Sequence, residues 1–178
     1  MEIQILDKQF SLFIPSENIL NEVQVLAKKL ELDYKEKNPI FIIVLNGAFM
    51  FASDLLKCFR YSCDITFVKL SSYNGLSSVG AVQQQMGLMV DIKDRHVIIV
   101  EDIVDSGLTI ESLIKNLENQ NPTSIEICSL LYKPEAFKGN NPPKYNGFSI
   151  PNKFVVGYGL DYDEKGRNLK DLYQLKTE

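Results

Sequence analysis

Three carboxylates crowd into the ten residues VEDIVDSGLT, Val100 to Thr109: Glu101, Asp102 and Asp105. They lie at and just beyond the end of HVIIVE (His96 to Glu101), an apolar, β-branched run that reads as a buried strand. After them Ile110, Leu113, Ile114 and Leu117 recur at helical spacing, marking the buried stripe of a helix that ends near Asn119. The acids therefore occupy a turn between a strand and a helix. Ser106, Gly107, Leu108 and Thr109 open that helix, where unpaired backbone N–H groups and the positive end of the helix dipole attract a phosphate. Gly107 lets the backbone come close, and the Ser106 and Thr109 hydroxyls add hydrogen bonds. Anion-binding amides a few residues from carboxylates suit a ligand with both a phosphate and vicinal hydroxyls, as in a phosphorylated ribose. The carboxylates also favour Mg²⁺, directly or through its waters, and can stabilise cationic charge developing on a ribose ring. A plainer reading stands beside this one, with Asp105 as a helix N-cap and Glu101 and Asp102 as solvated strand-end residues. Neither GxxxxGKS/T nor GxGxxG occurs, so the usual nucleoside-triphosphate and dinucleotide readings lose support.

The elements that must position this turn alternate along the chain. Ile19, Leu20, Val23, Leu26, Ala27 and Leu30 predict an amphipathic helix from about Glu17 to Asp33. IFIIVL (Ile40 to Leu45) is uniformly apolar, as expected of a parallel strand covered on both faces, and Asn46-Gly47 ends it. A helix over about Ala48 to Cys58 leads to a strand at ITFVKL, Ile65 to Leu70. From Ser71 to Leu88 the chain is rich in Ser, Gly and Gln without a period, which fits a mobile functional loop or a loosely ordered hairpin. Beyond the acidic turn come a strand at Ser124 to Tyr132, a loop-rich stretch from Lys133 to Pro151, a strand KFVVGYG (Lys153 to Gly159) and the acidic segment DYDEKGRN. Alternating strands and helices predict an α/β fold with a Rossmann-like parallel sheet flanked by helices, binding its ligand at the carboxyl ends of the strands where strand order reverses. With no repeat or linker, residues 1–178 read as a single domain, with a small hood formed by the N- and C-terminal segments.

A net charge of -4 over 178 residues provides no overall basic field for nucleic acid or an acidic membrane surface. Cys58, Cys63 and Cys128 have no CxxC spacing, and His96 is the one histidine, so a Cys/His zinc cage is excluded and reduced thiols are expected. The N-terminus lacks a basic region followed by a long apolar stretch, and the apolar segment Pro39 to Ala52 is broken by Asn46 and Gly47, short of the roughly 20 residues of a membrane helix. A cytoplasmic protein is the expectation.

VEDIVDSGLT resembles the phosphoribosyl diphosphate (PRPP) binding motif of type I phosphoribosyltransferases, and in particular the hypoxanthine and hypoxanthine-guanine branch. The resemblance extends through LNGAFMFASDLL (Leu45 to Leu56), LSSYNG (Leu70 to Gly75), LLYKPEAF (Leu130 to Phe137) and KFVVGYGLDYDEKGRNL (Lys153 to Leu169), in the same order. It implies the fold above and transfer of phosphoribosyl from PRPP to N9 of a 6-oxopurine, giving IMP from hypoxanthine and GMP from guanine, with release of pyrophosphate and need of Mg²⁺. It implies that Glu101 and Asp102 bind the ribose hydroxyls and help place magnesium, that Ser106 to Thr109 hold the 5′-phosphate, and that Asp105 is the general base or acid beside purine N7. Lys133 would donate to the 6-oxo group, Phe154 would stack on the purine, and Val155 and Asp161 would make edge contacts through their backbones. Asp161 would also reach a second magnesium, and Arg167 would bind pyrophosphate. Leu45-Asn46-Gly47 matches a loop whose amides contact pyrophosphate, often with a cis peptide before the glycine. Ser72 and Tyr73 match a loop that closes over PRPP. A homodimer or homotetramer is implied as well.

The match departs at Asn46, where many relatives carry lysine, and at Leu108, which replaces a lysine found in some. Because both loops act through backbone N–H groups, altered PRPP affinity is expected rather than lost activity. Two other classes compete with the enzyme: a regulator of the same fold that binds RNA or protein, and a receiver-like or nucleotide-binding module with acidic strand ends. Asp105, Lys133 and Arg167 weigh against the first, and the matches at Lys133 and Lys153 to Arg167 against the second.

Overall fold

The computed structural model describes residues 1–72, 82–86, 88 and 90–176. In chain order its elements are β1 (Glu2–Ile5), β2 (Lys8–Ile14), α1 (Ser16–Tyr34), β3 (Ile40–Leu45), α2 (Phe49–Cys58), β4 (Asp64–Ser72), β5 (Val82–Met86), β6 (His96–Val104), α3 (Leu108–Glu118), β7 (Ser124–Tyr132), β8 (Tyr145–Ser149), β9 (Val155–Val156) and β10 (Leu172–Leu175). The apolar run of β3 is buried on both faces and lies inside a six-stranded sheet of order β5-β4-β3-β6-β7-β8. β4, β3, β6, β7 and β8 run parallel, while β5 is antiparallel to β4. Phe41, Ile43, Ile98 and Val100 meet α1 and α2 on one face, where Leu26, Leu30, Phe51 and Leu55 are fully buried. Burying each such side chain contributes roughly 1.5–3 kcal/mol. Ile40, Ile42, Val97 and Ile99 meet the Ile110, Leu113, Ile114 and Leu117 stripe of α3 on the other face.

The two chain ends form a separate antiparallel sheet, β1-β2-β10-β9, with its own cluster of Ile5, Phe10, Val156 and Tyr173. This is the expected hood, although the sequence reading assigned no strands to the N-terminal 14 residues or to Leu172–Leu175. Hood and helices are joined at the start of α1. Pro15 offers no side-chain cap there, and the Ser16 N–H donates instead to Asp171 Oδ1 at 2.7 Å.

Three elements differ from expectation. β6 runs on to Val104, because β7 continues to pair with it through Val104↔Tyr132 after pairing with β3 has stopped at Ile43↔Val100. The stretch taken as loop from Lys133 to Pro151 contains β8, whose sequence YNGFS has no strand-like alternation and is ordered by pairing with β7. KFVVGYG is a strand only at Val155–Val156 and pairs with β10 in the hood, since Gly157, Tyr158 and Gly159 turn away with φ of 98°, 47° and 104°. In the polar stretch, β5 pairs with the end of β4 from Lys69↔Met86 to Ser72↔Val82; Tyr73 and its neighbours to residue 81 lie outside the described residues. Cys128 is buried, and Cys58 and Cys63 are half-buried free thiols. Among the described residues no helix is long and apolar enough to cross a membrane.

Candidate active site

Strand order reverses between β3 and β6, since the chain leaves β3 for β4 on one side and continues from β6 to β7 and β8 on the other. A crevice at the carboxyl ends of these two strands is the general ligand site of such sheets. β3 ends there on Leu45-Asn46-Gly47, and β6 brings Glu101 to Val104 past the last β3 pair. The β3 loop rests directly on the acids: a Cβ at Gly47 would sit 1.7 Å from Asp102 Oδ2, so only glycine fits. The non-proline cis peptide in this loop is Leu45-Asn46, one residue earlier than the position before the glycine that the resemblance implied.

Alternation along β6 sends Glu101 and Asp102 to opposite faces. Glu101 lines a cleft of about 130 Å³ with Asp105, Ser106, Gly107 and Thr109. Asp102 lines a second cleft of about 230 Å³ with Asp105, Lys133, Phe154, Val155, Leu160 and Asp161. Ile103 and Asp105 border both, so the two clefts adjoin. A larger cavity of about 480 Å³ lies elsewhere, lined by Glu118, Pro122, Ser124, Glu126 and Asn141 among others, at the amino end of β7. It contains none of the sequence-predicted residues, and the chemistry rather than the volume identifies the site.

Asp105 does not cap α3. The N-cap is Gly107, at φ 81° and without a side-chain cap, while the Asp105 carboxylate lies 2.6 Å from Lys133 Nζ. Lys133 is only 6% exposed. Its backbone N–H donates to the Val104 carbonyl, fixing its position at the end of β6. The turn after Lys133 supports the phosphate-loop candidate from below: Lys138 N–H donates to the Ser106 carbonyl, and a Cβ on Gly107 would meet the Phe137 ring at 2.4 Å. Leu108 is 66% exposed and lies off the cleft wall, which leaves its backbone as the group available to a ligand.

Burial pushes the Glu101 carboxyl well above its ordinary value, the charge of Asp102 adding to the effect. Glu101 Oε2 is fully buried without a hydrogen-bond partner. Burial also lifts Asp102, to about 6, against the N–H of Ile103 and the charge of Arg167. An orphaned carboxylate oxygen and a second acid whose charge burial disfavours are what a ribose hydroxyl or a hydrated cation would relieve. Among the described residues no three carboxylates converge as a metal cluster, so Glu101, Asp102 and Asp161 do not make a ready cage. Mg²⁺ keeps several waters and takes one or two carboxylates together with substrate oxygens, a role that the unpartnered Glu101 oxygen and Asp102 fit without such a cluster.

The hood supplies the remaining wall. Phe154 is 46% exposed and is braced edge-on by Tyr162 at 6.0 Å and at a tilt by Phe10 at 6.4 Å. Arg167 pairs with Asp161 at 2.7 Å and donates to the Gly159 carbonyl at 2.9 Å. The sequence reading treated those two residues separately. Asn46 is exposed, Ser72 is the last residue of β4 and pairs with Val82 of the edge strand β5, and Tyr73 lies outside the described residues. Sequence reasoning missed Ile103 and Leu160 as walls and Phe137 beneath Gly107; the GYG run was the available signal for the tight turn at Tyr158.

A phosphoribosyl transferase domain model matches residues 15–163. The hypoxanthine-guanine phosphoribosyltransferase of Mycobacterium tuberculosis (strain H37Rv) is 42% identical over 166 residues, 89% of this chain and 82% of that protein. The hypoxanthine-guanine-xanthine phosphoribosyltransferase of Tritrichomonas foetus is 38% identical over 161 residues, 90% of this chain and 88% of that one. A crystal structure of a hypoxanthine phosphoribosyltransferase from Staphylococcus aureus superposes with a TM-score of 0.89 at 39% identity, covering 93% of this chain and 91% of the other.

Proposed function

Since this chain belongs to the phosphoribosyltransferase family, we propose that it transfers the 5-phosphoribosyl group of PRPP to N9 of hypoxanthine and guanine, releasing pyrophosphate in purine salvage. The observation that carries this reading is the Lys133–Asp105 pair, 2.6 Å apart, in a cleft walled by Phe154 and continuous at Asp105 with the phosphate loop. Lys133 offers a donor to the 6-oxo group, so a 6-amino purine would set donor against donor. Phe154 holds the ring by stacking, and the backbones of Val155 and Asp161 read its edge. Amides and hydroxyls of Ser106 to Thr109 bind the 5′-phosphate, and Glu101 and Asp102 accept from the ribose hydroxyls. As N9 bonds to C1′ and the bond from C1′ to pyrophosphate breaks, Asp105 takes the proton from N7. Arg167 and the Asn46-Gly47 amides hold the departing pyrophosphate. Glu101 and Asp102 would help hold Mg²⁺, and Asp161 a second ion, each through waters, and the metal would supply charge neutralisation for the pyrophosphate oxygens.

Residues 1–178 act as a single phosphoribosyltransferase domain of a cytoplasmic enzyme. Its substrates are small molecules, with neither nucleic acid nor membrane as a partner. A homodimer or homotetramer follows from the resemblance, and the exposed Phe49, Ile65 and Phe67 are apolar side chains that a second copy would cover. The test is pyrophosphate release from PRPP and Mg²⁺ with hypoxanthine, guanine, xanthine or adenine. Release with hypoxanthine or guanine and none with adenine is the expected result; no release with any oxopurine sinks the reading.

A further inference from the structure

The wall between the hood and the Asn46-Gly47 loop is built from backbone on backbone. A Cβ on Gly159 would lie 2.0 Å from the Gly47 carbonyl oxygen, and Gly47 in turn touches the Asp102 carboxylate. Gly159 is also bound twice to Arg167, its N–H donating to the Arg167 carbonyl and its own carbonyl accepting from the guanidinium, each at 2.9 Å. One residue thus joins the β3 loop, the acidic end of β6 and the arginine. Tyr158 precedes Gly159. Tyr158 is 2% exposed at φ 47°, and its hydroxyl donates to Asp54 Oδ2 on α2 at 2.6 Å. α2 is the helix that begins directly after Asn46-Gly47.

We infer that the Tyr158–Asp54 hydrogen bond is a positioning contact for the pyrophosphate end of the site. It clamps the GYG turn to α2, so that Gly159 presses the Asn46-Gly47 loop against Asp102 and aims Arg167 at the same point. Tyr158 faces α2 and lines neither cleft; it acts through Gly159. Groups that must meet a reacting ligand are sensitive to displacements of an ångström, so a contact far from the chemistry can govern one substrate and leave another alone. Lys133 and Phe154, by contrast, are held by contacts that do not involve Tyr158, to Val104, Phe10 and Tyr162.

This inference rests on the assignment of pyrophosphate to that loop. Tyr158→Phe removes the hydroxyl and keeps the ring, Asp54→Leu removes the acceptor, and Asp54→Asn retains a carbonyl acceptor. In Tyr158→Phe and Asp54→Leu the KM for PRPP, and for pyrophosphate in the reverse direction, should rise about tenfold. The KM for hypoxanthine should stay within about twofold, and Asp54→Asn should behave like wild type. Equal changes for both substrates, or none in Tyr158→Phe, would overturn the inference. Titration of the whole protein with inorganic pyrophosphate and Mg²⁺ reads the contact without turnover. If the wild-type protein transferred no phosphoribosyl group the proposed activity would fall, while equal pyrophosphate affinity in Tyr158→Phe and wild type would remove the positioning role alone.

Discussion

Asp105 and Lys133 are 28 positions apart in the chain and 2.6 Å apart in space, and each explains the other's place in the site. A lysine 6% exposed needs a partner for its charge, and a carboxylate at the junction of two clefts is held in one direction by that lysine. In the proposed reaction an arriving oxopurine would take both groups, its carbonyl oxygen accepting from Lys133 and its imidazole ring giving a proton to Asp105. Asp105→Asn keeps the shape and an acceptor for Lys133 but loses the base. Turnover should fall about 10²–10⁴-fold with a melting temperature close to wild type, and stopped-flow or steady-state kinetics beside a thermal melt will read both. Unchanged turnover would remove Asp105 from the chemistry. The departures at Asn46 and Leu108 belong to this scale as well: both residues are exposed and neither lines the two clefts.

At the scale of elements, the site depends on supports that no single helix or strand provides for itself. α1 lacks a cap of its own and takes one from Asp171, next to β10. The Ser16 N–H holds the Asp171 carboxyl below its ordinary value, against the opposing effect of burial. A lowered folded-state value stabilises the fold above the unfolded carboxylate range, and that stabilisation is lost as pH falls through the folded value. Asp171→Ala should therefore cost about 1 kcal/mol at pH 7, and the difference from wild type should shrink as pH drops below about 4. Thermal melts of both proteins across pH 3 to 8 check it; a gap that widens in acid would contradict the cap. The same logic of borrowed support explains why β8 and the end of β6 were not legible locally: YNGFS and the acidic EDIV become strands because β7 pairs with them.

For the whole molecule, two sheets with separate apolar clusters could in principle unfold separately. The hood cluster of Ile5, Phe10, Val156 and Tyr173 is small, and it is tied to the main body by Asp171, by the Gly159–Gly47 contact and by Phe154 at the cleft. Calorimetry should give one cooperative transition, with a midpoint that rises with protein concentration if a second copy covers Phe49, Ile65 and Phe67. Two transitions would divide the chain into independent units. The sequence alone determined the parallel α/β sheet, because β-branched runs alternating with 3.6-period stripes can bury their apolar faces only in that layered form. It also determined the acidic turn and the phosphate-loop candidate, which are contiguous and carry their chemistry in residue type and order. Only the tertiary structure decided that Asp105 meets Lys133 instead of capping α3, that Arg167 meets Asp161, and that Gly159 locks Gly47 onto Asp102. These contacts join residues 6 to 112 positions apart, and local pattern fixes which groups exist but not which groups packing brings to the same point.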